Sequence, residues 1–169
     1  MTVFIALLRA VNVGGTGKLP MSGLKTMCEE AGFSHVRTYI ASGNVLFEST
    51  ASETRVKQAL EARLEAYAGK PVGVVVRTAA ELAAVLAGNP FPQAPGSKTV
   101  AIFLDSPPPP GALDAVTGQK NEEISLGRRE IYVHYTDGIA DSKLRMKAAA
   151  NGTARNMNTV AKLVELAGA

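Results

Sequence analysis

The run Thr2-Val3-Phe4-Ile5-Ala6-Leu7-Leu8 constrains the fold more than any other stretch of the chain. Val3, Ile5 and Leu7 alternate with Phe4, Ala6 and Leu8. A strand here is therefore apolar on both faces and must lie inside a sheet that is covered on both sides. Thr99–Asp105 has the same character, and the two runs echo each other. Thr2-Val3-Phe4-Ile5-Ala6-Leu7 lines up with Thr99-Val100-Ala101-Ile102-Phe103-Leu104, and each is followed by a turn, a hairpin and a helix. That order predicts an α+β protein of two ferredoxin-like (alpha-beta plait) halves, with antiparallel sheets and helices packed on them.

The intervening residues fill in the first half. Pro20 suits a helix start, and Leu24, Met27, Cys28 and Ala31 recur at helical spacing before Gly32. Two β-rich runs, His35–Ala41 and Asn44–Glu48, are joined by Ser42-Gly43 as a hairpin. Thr50 and Glu53 have capping-box spacing ahead of a helix that carries Val56, Leu60, Leu64 and Tyr67 on one face. Gly69-Lys70-Pro71 ends that helix, and Val72–Arg77 is the next strand. A second capping box, Thr78 with Glu81, opens a bridging helix that buries Leu82, Val85 and Leu86. In the second half the pattern gives a short helix over Ala112–Val116 and strands over Glu123–Leu126 and Glu130–Tyr135. It closes with helices near Ser142–Ala149 and Asn158–Ala167. The expected division is residues 1–77 and 78–169, both within one compact unit.

Composition narrows the function classes. Of the 169 residues 46% are hydrophobic and 20% charged, and the net charge of +3 provides no broad basic surface for nucleic acid. The excess of Lys143, Arg145, Lys147, Arg155 and Lys162 near the C-terminus reads as a solvated face. The single cysteine, Cys28, falls at an apolar helical position and behaves as a small hydrophobe. The first apolar run is too short to span a membrane and has no basic leader, which points to a cytoplasmic protein.

A candidate site follows the first strand: Arg9-Ala10-Val11-Asn12-Val13-Gly14-Gly15-Thr16-Gly17-Lys18. Glycines let backbone N–H groups approach an anion closely, and Arg9 and Lys18 add charge. The stretch is not a P-loop. Asn12 stands where the first glycine would be, and Leu19 follows Gly17-Lys18 where serine or threonine would. In a plait the first strand ends at the same sheet edge as the following hairpin. Arg9, Asn12, Gly14, Gly15 and Lys18 should then gather near Ser42, Gly43 and Asn44. The plainer alternatives are a crossover loop and ordinary turn chemistry. Pro107–Pro110 replace this loop in the second half, so the sequence points to an anion site in the first half. Arg155-Asn156-Met157-Asn158-Thr159 precedes the last helix. Asn156, Asn158 or Thr159 is expected to cap that helix, leaving the others and Arg155 to hold a ligand or pin the helix.

No catalytic signature stands out. His35 and His134 lack a nearby cysteine, and no spacing calls for a metal or cofactor. The adjacent pairs Glu29-Glu30 and Glu122-Glu123 do not face each other as an acid/base pair needs. Binding of a small anionic ligand is therefore the leading reading. The rivals are an interaction module using a sheet face or edge, for protein or nucleic acid, and an enzyme of unknown reaction. Tyr39 and Phe47 alone make a poor RNA-stacking platform.

Several of these runs also carry a family resemblance. Leu7-Leu8-Arg9-Ala10-Val11-Asn12-Val13-Gly14-Gly15, Leu19-Pro20-Met21 and Arg37-Thr38-Tyr39-Ile40-Ala41-Ser42-Gly43-Asn44-Val45-Leu46-Phe47 resemble the bacterial family called domain of unknown function 1697. Asn89-Pro90-Phe91, Lys143-Leu144, Arg155-Asn156-Met157-Asn158-Thr159 and Lys162-Leu163 are similar to its later motifs. Ala10 departs from the glycine expected there. The resemblance implies the plait arrangement and no particular activity.

Overall fold

The computed structural model of the chain describes residues 1–9, 19–39 and 43–168. It divides into two units, Met1–Leu82 with Leu163–Ala169, and Ala83–Lys162.

The first unit holds strands β1 (Thr2–Leu8), β2 (Ser34–Tyr39), β3 (Asn44–Ser49) and β4 (Val74–Thr78), with helices α1 (Met21–Glu30) and α2 (Glu53–Ala68). The sheet order is β2-β3-β1-β4, and all neighbours are antiparallel, as the plait requires. Phe4, Ala6 and Leu8 face a core built with Leu24, Met27 and Cys28 of α1 and Val56, Leu60 and Leu64 of α2. Phe33 stacks on Phe47 there with ring centroids 4.3 Å apart. On the other face Ile5 and Leu7 are equally inaccessible, so the two-faced reading of β1 holds, except that Val3 near its start is only half-buried.

Local chemistry sets the helix ends. Ser52, rather than Thr50, caps α2 by accepting from the Arg55 N–H at 3.3 Å. Gly69 ends α2 in the left-handed region, with φ of 73°. The buried stripe of α2 stops at Leu64, and Tyr67 is exposed rather than packed. Two α2 side chains hold the edge strand: Lys57 Nζ donates to the Val74 carbonyl at 2.6 Å, and the Val74 N–H donates to Glu61 at 3.2 Å. These bonds occupy backbone groups that an edge would otherwise offer to another chain.

Helix α3 (Ala79–Ala87) follows β4, and its capping box is present as expected. The Thr78 N–H donates to Glu81 at 2.9 Å, and the Glu81 N–H donates to the Thr78 hydroxyl at 3.1 Å.

The second unit holds β5 (Thr99–Phe103), β6 (Glu123–Leu126), β7 (Glu130–His134) and β8 (Thr153–Asn156), followed by α4 (Met157–Leu166). Its order, β6-β7-β5-β8, repeats the first sheet strand for strand. The repeat is offset by one residue from the sequence echo. The Leu8 N–H donates to the Gly43 carbonyl, and its counterpart is the Leu104 N–H donating to the Arg129 carbonyl, each at 2.9 Å. Leu8 thus corresponds to Leu104, and Phe4, Ala6 and Leu8 correspond to Val100, Ile102 and Leu104 on their respective core faces.

Two expectations fail in this half, and one strand is additional. Residues 112–116 form turns, and Ser142–Ala149 is no α-helix but an irregular segment with a 3-10 turn over Lys147–Ala149. The short strand β8 was not foreseen. Irregular segments therefore stand where the crossover helices of a plait would be, and Val116, Met146, Ala148 and Ala149 from those segments cover Val100, Ile102 and Leu104. No helix among the described residues is long and apolar enough to cross a membrane.

Candidate functional site

The C-terminal end of β1 is held on both sides by backbone bonds. The Leu8 N–H donates to the Gly43 carbonyl at 2.9 Å, beside the β2–β3 connection, and the Arg9 N–H donates to the Gly73 carbonyl at 2.9 Å, ahead of β4. Leu7 also pairs with Asn44 across the β1–β3 ladder. The exit of β1 thus lies next to the β2–β3 connection, as the plait topology dictates.

Arg9 crosses Gly73 closely. A Cβ built on Gly73 would sit 2.9 Å from the Arg9 Nε and 3.1 Å from its Cζ. Glycine at 73 therefore gives the guanidinium room to lie across the backbone. Sequence reading missed this residue. A glycine before an apolar strand carries no signal of its own, and only the ladder shows that it faces Arg9.

Asn12, Gly14, Gly15, Lys18 and Ser42 lie outside the described residues. Asn44 is fully buried, and its Nδ2 donates to the Tyr39 carbonyl at 3.0 Å, closing the hairpin from inside. Arg155, Asn156 and Asn158 belong to the second unit. Arg155 is buried on β8, where its Nη1 donates to the Thr153 hydroxyl at 2.8 Å and to the Ala154 carbonyl at 2.9 Å. Burial lowers its pKa to about 10, which leaves it protonated at neutral pH. Asn156 is the cap of α4, its Oδ1 accepting from the Thr159 N–H at 2.9 Å. The exposed Asn158 lies against Gly96, whose carbonyl accepts from the Met157 N–H at 3.1 Å.

The histidines are paired with carboxylates: His35 Nδ1 lies 2.7 Å from Glu48 and His134 Nδ1 lies 2.9 Å from Glu123. Burial pushes the Cys28 thiol up to about 12, the chemistry of an inert core residue. Among the described residues no group of three or more His, Cys, Asp or Glu side chains is placed to hold a metal ion.

Among the described residues, two four-stranded antiparallel sheets of one topology and four α-helices define the class as an α+β protein built on a repeated plait-type sheet. The chain belongs to the family described as "Protein of unknown function (DUF1697)", whose model matches residues 1–132. That span takes in the glycine-rich stretch of the sequence and strands β2 and β3, and the motifs from Lys143 onward lie beyond it. Among solved structures the chain is similar to the conserved bacterial protein SP0830 from Streptococcus pneumoniae, with 21% identity over 98% of each chain and a TM-score of 0.80. At that identity the likeness shows the fold. No curated protein matches the chain.

Proposed function

We propose that this protein binds a small anionic or phosphate-bearing ligand where the glycine loop leaves β1. The observation that carries the reading is the placement of Arg9. Its backbone is fixed to Gly73, its guanidinium lies across the bare Cα of that glycine, and its neighbour Leu8 is bonded to Gly43. A cation held on a rigid sheet edge loses little further freedom when it meets an anion. The loop that starts there supplies Gly14 and Gly15 as unhindered backbone donors and Lys18 as a second charge, with Asn12 and Ser42 to orient the ligand. We read the chain as a bacterial, cytoplasmic protein.

The interaction-module reading has less support. A nucleic-acid platform of the plait type uses an open sheet face, and β1, β3, β4 and β5 bury residues on both faces. Of the large exposed apolar side chains among the described residues only Leu126 lies on a strand, at the end of the edge strand β6, while Tyr67, Leu113 and Ile139 lie off the strands.

A thermal-shift screen of nucleotides, sugar phosphates and inorganic phosphate tests the proposal. A ligand that binds the native state raises its apparent stability. The parent protein should shift, and Arg9→Ala and Lys18→Ala should shift less while melting near the parent temperature. If no member of the panel shifts the parent and Arg9→Ala melts early, Arg9 is a structural residue and the proposal fails.

A further inference from the structure

One edge of the second sheet is left open, and the anion reading makes no use of it. Among the described residues the two sheets have four edge strands, β2 and β4 in the first and β6 and β8 in the second. Unpaired backbone groups on an edge are a template for another strand, and proteins blunt them with bulges, charges or covering groups. Three of these edges are blunted. A register shift between Ser34 and Arg37 interrupts β2, and His35 there takes a φ of 51°. On β4, Lys57 and Glu61 take the outward groups of Val74, and Arg77 Nη1 donates to the Val76 carbonyl at 3.1 Å. Arg155 Nη1 does the same on β8 by donating to the Ala154 carbonyl.

Strand β6 has none of these devices. It pairs with β7 in unbroken register, from Glu123 with His134 to Leu126 with Ile131. The Gly127 N–H donates to the Glu130 carbonyl at 2.7 Å, so the Gly127 backbone faces β7. Backbone groups alternate in direction along a strand. Ser125 and Glu123 therefore face β7 as well, and the N–H and C=O groups of Ile124 and Leu126 point out from the edge. Among the described residues nothing bonds to those outward groups. The Glu122 carbonyl already accepts from Gln119 at 2.7 Å, which ends the open edge at Ile124. Ile124 packs against the second core, and Leu126, on the same face, is 42% exposed.

Charge identifies the strand that fits. Glu122-Glu123 stand at the start of β6 and Arg128-Arg129 just past its end, with no charge between them. A copy of the same strand laid antiparallel sets each acidic end beside a basic end, whereas a parallel copy sets like beside like. With the twofold axis at Ser125, Ile124 of each strand lies opposite Leu126 of the other. Every outward group of both edges is then paired, and Ile124 of the second copy covers the exposed Leu126.

We infer that two copies of this chain pair through β6, antiparallel about Ser125, and join their second sheets across that edge. The patch is smaller than a permanent interface, so the dimer is reversible and forms at raised concentration. It does not depend on whether the residues after β1 bind an anion.

Sedimentation velocity of the full chain at low ionic strength, over a concentration series reaching about 1 mM, tests this. The parent should pass from monomer to dimer along the series, and added salt should return it toward monomer. Leu126→Pro removes an outward N–H without touching the bonds to β7, and should weaken association by at least about tenfold. Arg128→Glu, on the exposed turn, should weaken it at low salt and leave the fold intact. Directly opposite residues of a non-hydrogen-bonded pair lie about 4.5 Å apart between Cα atoms, within disulfide reach. Ser125→Cys should therefore cross-link two copies under mild oxidation much faster than Arg128→Cys, and the buried Cys28 does not compete. A parent that stays monomeric across the series overturns the inference. Association that neither folded variant weakens, or equal cross-linking of the two cysteines, overturns it as well, because the copies then meet elsewhere. If Leu126→Pro loses its native spectrum, Arg128→Glu and the cysteine pair decide in the same sense.

Discussion

Polar and reactive side chains in this chain mostly serve the backbone. Asn44 and Asn156 have the chemistry to hold a ligand, but one closes a hairpin and the other caps a helix. An amide side chain offers the same donor and acceptor to a ligand as to a nearby peptide group, so residue type alone leaves both outcomes open. Cys28 is the clearest case of chemistry suppressed by environment. Its thiol rises from 9.0 to about 12 through burial first and the charge of Glu29 second. Because the folded pKa is raised, the stability linked to the neutral thiol is fully present below pH 9 and is lost as pH climbs toward 12. At neutral pH an aromatic disulfide reagent should modify Cys28 only as fast as the first unit opens. Modification of the native protein at the rate of an exposed thiol would show that the α1 contact is wrong.

At the scale of elements, sequence is readable where hydrophobic period and capping agree. Strand β1, the Thr78–Glu81 box and the α1 stripe all appear where their patterns place them. Strand β8 was hidden because its pattern is inverted: Thr153 and Arg155 are buried while Ala154 is exposed. The expected helix at 142–149 failed for a related reason. Leu144 and Met146 meet the second core two residues apart, as an extended segment does, and the chain winds only over Lys147–Ala149, as a 3-10 turn. The repeat was visible but misaligned by one residue, and on a strand one residue exchanges the two faces. Of the candidate site, the topology of the β1 exit was legible, whereas the Arg9–Gly73 approach required the register of β4. Two substitutions test these assignments by chemical denaturation. Ile5→Ala should cost roughly 2–5 kcal/mol, and Val3→Ala, on the same face but half-exposed, roughly 1 kcal/mol or less. Equal costs would contradict the burial pattern of β1. Gly152→Ala should cost about 1–3 kcal/mol by overpacking, because a Cβ there would lie 2.7 Å from Ile102 and 3.0 Å from the Phe103 carbonyl. An unchanged midpoint would remove the close approach of the chain to β5 just ahead of β8.

At the scale of the molecule, one sheet topology occurs twice, but the segments that cross over it differ in kind. The first sheet is backed by two helices, and the glycine-rich stretch of the sequence follows its strand β1. The second is backed by irregular segments stitched together through Glu122, Ser142 and Asn121. A duplicated scaffold with unlike loops is a common way to place different recognition chemistry on one fold, since fold alone does not set function. The proposed function requires an anion bound by the residues that follow β1. The most direct measurement is a crystal structure grown with the phosphate ester that shifts the melting point most. The phosphate should lie within about 2.7–3.1 Å of the Arg9 guanidinium and of at least one backbone N–H from Gly14 or Gly15. A structure in which the ester binds elsewhere, with Arg9 contacting only protein groups and no density at the loop, would contradict it.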